Sequence, residues 1–293
     1  MLAAITAFGT GIAQAALIDQ YLNTGANVIE DDSNEYIFRA DNGGYAPILS
    51  GPIQNGDVLV QILDFPIING VNIDSDGNEL TGIALNVITG ISAPRTESTI
   101  SGATVIPYTA VDFTMTAASA ADWLALAGVN VAALPFDATG LITLAFEDGN
   151  NNLDVSTQGY VTAVGAPPPP GLDGTATDGT LVAALGLLAG DAINALEVPL
   201  NVETFDPAFN AAAVPGVTIF GTFGYGLSFL YENINGTIDG QFNGSGNNLT
   251  TDRLATAAVI DDTQATFTVV PEPASLALLG LGLLGFGASR RRM

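Results

Sequence analysis

The sequence contains no cysteine, no histidine and no lysine, and its six cationic residues are all arginine. Without cysteine there is no disulfide framework, thiol nucleophile or zinc-cysteine site. Without histidine there is no Ser-His-Asp triad and no imidazole metal ligand. Without lysine there is neither a Schiff base nor a Walker-type phosphate loop. What abounds instead is acid: 30 Asp and Glu residues in 293 leave a net charge of −24. Such a chain repels phosphate backbones, which need Lys and Arg to displace their counterions, so nucleic acid is excluded as a partner. With 48% hydrophobic residues the chain can still bury a core. Its 34 glycines and 15 prolines fall short of the roughly 25–30% that marks low-complexity disorder.

The two ends differ from the rest. Residues 1–15 form an uncharged, apolar run that finishes in Ala13-Gln14-Ala15, the small-x-small pattern that signal peptidase accepts. Cleavage is expected after Ala15, with Ala16 as the mature N-terminus, although Met1-Leu2 lacks the cationic start of a secretory leader. At the other end, 274–289 is apolar and runs into Arg290, Arg291 and Arg292. As a helix it would measure about 24 Å at ~1.5 Å per residue, short of the roughly 30 Å hydrocarbon core by an amount that snorkelling arginines can cover. The positive-inside rule then puts these arginines in the cytoplasm and the body beyond the inner membrane. Gly280, Gly282 and Gly285 imitate a dinucleotide fingerprint, but no strand precedes them and no ribose-binding acid follows. In this setting they are helix-packing glycines.

Pro271-Glu272-Pro273, then a Leu/Gly-rich helix, then the arginine cluster, resembles the PEP-CTERM protein-sorting signal. The resemblance covers residues 270–293. It implies recognition by an exosortase, a membrane-embedded cysteine transpeptidase of Gram-negative bacteria that make exopolysaccharide. Pro271, Glu272 and Pro273 would be its recognition signature and Arg290–Arg292 the stop, all of them substrate features rather than catalytic ones. Signal peptidase, an exosortase-type enzyme, the inner membrane and an extracellular polysaccharide are the partners implied.

The body, 16–270, keeps only Arg39, Arg95 and Arg253 as cations and is more acidic than the whole chain. Its apolar segments are short, rich in Val, Ile, Thr and Phe, and bounded by Gly, Asn, Asp and Pro, which predicts strands and turns. Strands are expected at 36–40, 58–65, 82–91, 105–115, 141–147, 160–164, 193–198, 217–231, 237–242 and 257–270. That number and spacing predict a mainly β fold, an antiparallel, jelly-roll-like β-sandwich with one or two short helices. The first helix starts at a capping box, Ser119 to Asp122, and stops at Gly128. The second is expected within 181–196, an Ala/Leu-rich stretch broken by Gly186 and Gly190. Trp123 reads as a core plug rather than a sugar platform, because Leu124 and Ala127 share its neighbourhood. The tetraproline run at 167–170 is an extended connector and marks an alternative domain boundary.

Two stretches space oxygen ligands for a hard cation. Asn72, Asp74, Asp76 and Asn78 alternate around Gly77 as in the first half of an EF-hand loop, but Ile83 stands where the bidentate Glu belongs and only Glu79 is near. Asp148, Asn150, Asn152 and Asp154 form the second. Both also suit plain turns, so no cofactor is expected unless calcium occupies one of them. No carboxylate pair is singled out as a glycosidase would require. The expectation is a non-enzymatic, exported surface or matrix protein associated with exopolysaccharide. A calcium-dependent carbohydrate-binding or adhesive module and a secreted polysaccharide hydrolase are the alternatives.

Overall fold

A computed structural model of the chain describes residues 16–41, 43–48, 50–101, 104–149, 177, 179–188, 191–202, 218–234, 237–250 and 259–270. The leader at 1–15, the strand expected at 160–164, the proline run and everything from Pro271 onward lie outside them.

Among the described residues, thirteen strands make one antiparallel sheet. They are β1 (Gly25–Asp41), β2 (Gly44–Pro47), β3 (Val58–Ile68), β4 (Val71–Asn72), β5 (Glu79–Ile91), β6 (Arg95–Ser101) and β7 (Thr104–Ala117). After α1 (Ala120–Ala127), the one α-helix among the described residues, follow β8 (Leu141–Asp148), β9 (Thr180–Gly186), β10 (Ile193–Pro199), β11 (Thr218–Glu232), β12 (Thr237–Thr250) and β13 (Val259–Val270).

The sheet closes on itself, which corrects the expected sandwich. The circuit β5–β8–β9–β11–β12–β13–β1–β3 returns to β5 through a ladder from Val58↔Val87 to Asp64↔Thr81, making an eight-strand antiparallel barrel. The wall also forks. Residues 79–84 of β5 pair with β8, whereas 86–91 pair with β7, on the same side of the strand. β11 mirrors this, pairing with β9 at 228–232 and with β10 at 222–224. Between β5 and β11 the wall is therefore β8–β9 along one half and β7–β10 along the other.

Alternation sends one set of side chains inward: Leu59, Leu63 and Phe65 from β3, Phe242 from β12, and Ala265, Phe267 and Val269 from β13. A cluster of Phe229, Phe242 and Phe267, with ring centroids about 6 Å apart, fills part of the interior. The intervening residues of β12 and β13, such as Gln241, Asn243, Ser245, Gln264 and Thr266, are exposed and polar. On these two strands a polar outer face and an apolar inner one are the reverse of a lipid-embedded barrel. Among the described residues no helix is long and apolar enough to cross a membrane.

One part of the outer wall is covered. Val58, Val60, Ile83, Leu85, Leu144 and Phe146 point outward and meet Trp123, Val129, Leu134 and Phe136 from the segment that carries α1. The helix begins as the sequence predicts, with the Ser119 side chain accepting from the Asp122 N–H and the Asp122 carboxylate accepting from the Ser119 N–H. The Tyr45 hydroxyl, from β2, donates to the same Asp122 and ties helix to barrel. Trp123 is 1% exposed and plugs this layer.

The second helix does not form. The 181–196 stretch is β9 followed by β10. Leu181 and Ala184 pack under the outer layer while Val182 and Leu185 face the interior, so β9 is buried on both faces. A doubly buried strand reads as a continuous apolar run, and periodicity cannot separate that from a buried helix.

Candidate functional site

The barrel interior holds a cavity of about 70 Å³ at the level of the fork, with walls from β1, β3, β5, β7, β8, β9, β10, β11 and β12. Most of the wall is apolar, but Glu35 from β1, Gln61 from β3 and Asn86 from β5 enter it from adjacent strands, and Thr143 of β8 and Tyr225 of β11 add hydroxyls to the lining. Register explains the grouping. Gln61 lies directly opposite Glu35, and Asn86 is paired with Leu59, two residues before Gln61 on the same face.

The three form a directed chain. Asn86 Nδ2 donates to Gln61 Oε1 at 3.1 Å, and Gln61 Nε2 donates to Glu35 Oε1. Asn86 is 1% exposed, and its Oδ1 has no partner among the described residues. Burial pushes the Glu35 carboxyl up to about 7, against the opposing pull of the Gln61 hydrogen bond. In the low dielectric of the interior one neutral donor does not offset the loss of hydration. Of the groups lining this cavity, only Glu35 and Tyr225 titrate.

A second cavity of about 50 Å³ is wholly apolar and lies towards the chain start, where Ile18 and Leu22 line it. Phe65, Leu185 and Phe242 wall both cavities. Ala16, the expected mature N-terminus, is buried. The turn at Leu17–Gln20 is fastened by the Ile18 N–H, which donates to Glu147 Oε2 at 2.8 Å. Burial raises the Glu147 carboxyl above its ordinary range, and the amides of Ile18 and Leu17 act against that rise.

The first cation-loop candidate is a structured turn. Asn72 Oδ1 accepts from the Ser75 N–H at 2.9 Å, and Gly77 closes the turn at φ 74°. The Tyr21 hydroxyl donates to Asp76 Oδ2 and accepts from Asn78 Nδ2. Asp74 lies in the same turn, while Glu79 is buried in β5 opposite Asp148 of β8. Among the described residues no group of three or more acidic side chains converges as a metal would require. Of the second candidate loop only Asp148 is described, and Asn150, Asn152 and Asp154 lie outside.

Two of the three body arginines are spent on structure. Arg39 grips Asp57 bidentately at 2.7 Å, and Asp57 is 1% exposed. Arg95 pairs with Asp112 and Glu97. Sequence reasoning marked neither pair, and it missed Glu35, Gln61 and Asn86, which sit at unrelated positions with no shared local pattern.

β13 ends at Val270, directly before the Pro271-Glu272-Pro273 signature. A family model described as the PEP-CTERM protein-sorting motif matches residues 269–292, so the end of the last barrel strand and the whole tail carry this motif. The motif marks the chain for export and processing by an exosortase-type system. No curated protein matches the chain. Among solved structures, the crystal structure of Neisserial surface protein A (NspA) aligns at 8% identity over 83% of this chain and 96% of that one, with a TM-score of 0.12. A score that low carries no argument about the fold.

Proposed function

We propose that this exported, exosortase-sorted chain is a non-enzymatic surface or matrix protein. Its barrel is held at the inner membrane by the 274–289 helix until the tail is cut near Pro271–Pro273. The body then associates with extracellular polysaccharide. The observation that carries this reading is the abutment of β13 and the motif. Proline has no N–H to donate to a ladder, and a cut at or after Pro271 would leave every described strand in the released part. The polar outer faces of β12 and β13 and the strongly acidic body suit a hydrated, polyanion-rich setting and would gather divalent counterions there. The non-enzymatic part is supported by the use of the acids: Asp57 and Asp112 are tied to arginines, and Glu35 is enclosed with two amides rather than facing a second carboxylate.

The test is mass spectrometry of the extracellular fraction of the native host. Mature ends at Ala16 and near Pro271 are expected, together with retention in the membrane when Pro271, Glu272 and Pro273 are all replaced by alanine. Intact Met293 in the medium would count against the sorting route. Turnover on a polysaccharide panel that vanishes on changing one carboxylate pair would replace the non-enzymatic reading with the hydrolase one.

A further inference from the structure

We propose that the interior cavity at the fork is a binding site for a short-chain primary amine, whose ammonium head bridges Glu35 and Asn86 while its alkyl body lies against the apolar wall. Among the described residues that line the cavity, the one buried polar atom without a partner is an acceptor. Among the described residues, Asn86 Oδ1 has no partner although the residue is 1% exposed, and Gln61 is the one side chain that donates to the Glu35 carboxylate. A buried acceptor left unsatisfied is expensive, so the head that fits here must donate hydrogen bonds. A cation does so with more strength than a hydroxyl, because a charge-assisted bond to a carboxylate is roughly twice a neutral one.

Among the described residues, none supplies such a cation to this cavity. The chain has no lysine or histidine, and Arg39 and Arg95 are committed to Asp57 and Asp112. Leu59, Leu63, Phe113, Met115 and Leu185 make the apolar wall, and Tyr225 adds a ring face that favours a positive head. A volume of about 70 Å³ is roughly half the 150 Å³ cavity that accepts benzene, which limits the ligand to a few heavy atoms. The adjoining 50 Å³ apolar cavity, across Phe65 and Phe242, gives the tail a direction in which to lengthen.

This inference is independent of the sorting route and is tested by itself. The full chain in lipid nanodiscs is titrated calorimetrically at pH 8 with n-butylamine, and in parallel with 1-butanol and butyrate. Butylamine is expected to bind and to raise the Tm, butanol to bind about tenfold more weakly, and butyrate not at all. Glu35→Gln should weaken the amine about tenfold or more. Asn86→Leu, which removes the unmet acceptor together with the donor to Gln61 Oε1, should weaken it by about the same factor, with circular dichroism and the Tm of the free variant checking that it is folded. Saturation with butylamine should also lower the Glu35 pKa, read from its side-chain carboxyl carbon by NMR. Equal binding of butanol and butylamine would overturn the proposal. So would amine binding that survives both substitutions, which is partition into lipid, or the lack of any wild-type response, which leaves the cavity to water.

Discussion

Asp57 and Glu35 are both buried carboxylates beside β1, and the chain treats them in opposite ways. Asp57 receives Arg39 Nε and Nη2, each at 2.7 Å, and the Gln54 N–H, also at 2.7 Å. Glu35 receives Gln61 alone among the described residues. One site is saturated with donors and includes a cation, and so is a fastener between β1 and the approach to β3. The other is short of donors and lies beside a cavity, and its proton affinity has risen accordingly. Burial by itself does not decide what an acid does. The donors within reach decide it.

The largest expected effect breaks the saturated site. Arg39→Met leaves Asp57 buried against one remaining N–H and should cost about 3–5 kcal/mol in chemical denaturation, whereas an exposed arginine would cost nearly nothing. A loss under about 1 kcal/mol would mean that Asp57 is hydrated after all.

Next comes the donor-poor site, where pH gives the sign. A carboxyl whose folded pKa is about 7 against about 4.5 unfolded holds its proton more tightly in the folded state. Stability from Glu35 is therefore full below about pH 4.5 and is lost as pH rises to about 7, by roughly 3 kcal/mol in all. Glu35→Gln should remove that slope and leave the variant more stable than wild type at pH 8. Parallel wild-type and variant curves between pH 4.5 and 8 would show that the carboxyl is not held in its neutral form.

A smaller effect is expected where an acid is shared between helix and barrel. Tyr45→Phe removes the hydroxyl that donates to Asp122 and should cost about 1 kcal/mol, with loosened α1 amides in hydrogen exchange while the barrel ladders stay protected. Smallest of all is Tyr21→Phe, which unties the turn at Asp76 and Asn78 and should cost about 0.5–1 kcal/mol. Because this turn is held by Tyr21, millimolar calcium should shift the Tm little in wild type. A sharp rise would restore the calcium-dependent adhesive reading.

Much of the barrel could be read in advance. The stretches around 58–65, 82–91, 105–115, 141–147 and 193–198 alternate or run apolar as strands must, and α1 announces itself by its capping box. Others were hidden by composition. β1 was expected only at 36–40 but begins at Gly25, because its acidic middle from Glu30 to Glu35 resembles a loop until β13 and β3 pair with it on both sides. β12 was expected to stop at 242, yet runs to Thr250 through Gly244 and Gly246. There the Tyr225 ring lies over Gly244 so closely that a Cβ would meet it, and the glycine is a place for an aromatic rather than a break.

The sequence alone carried the sorting motif that marks this protein for export and most of the segments that became strands. A sorting enzyme reads a linear stretch, and alternation is a property of one strand at a time. Whether the first and last strands of the sheet meet is a property of all of them together, since sandwich and barrel share the same alternation. Only the closed structure decided it, through the β3–β5 ladder. The same closure brings Glu35, Gln61 and Asn86 side by side from three strands and leaves one acceptor unpaired among apolar neighbours. Residues 26 and 25 positions apart carry no signal of that meeting until the ladder registers are set.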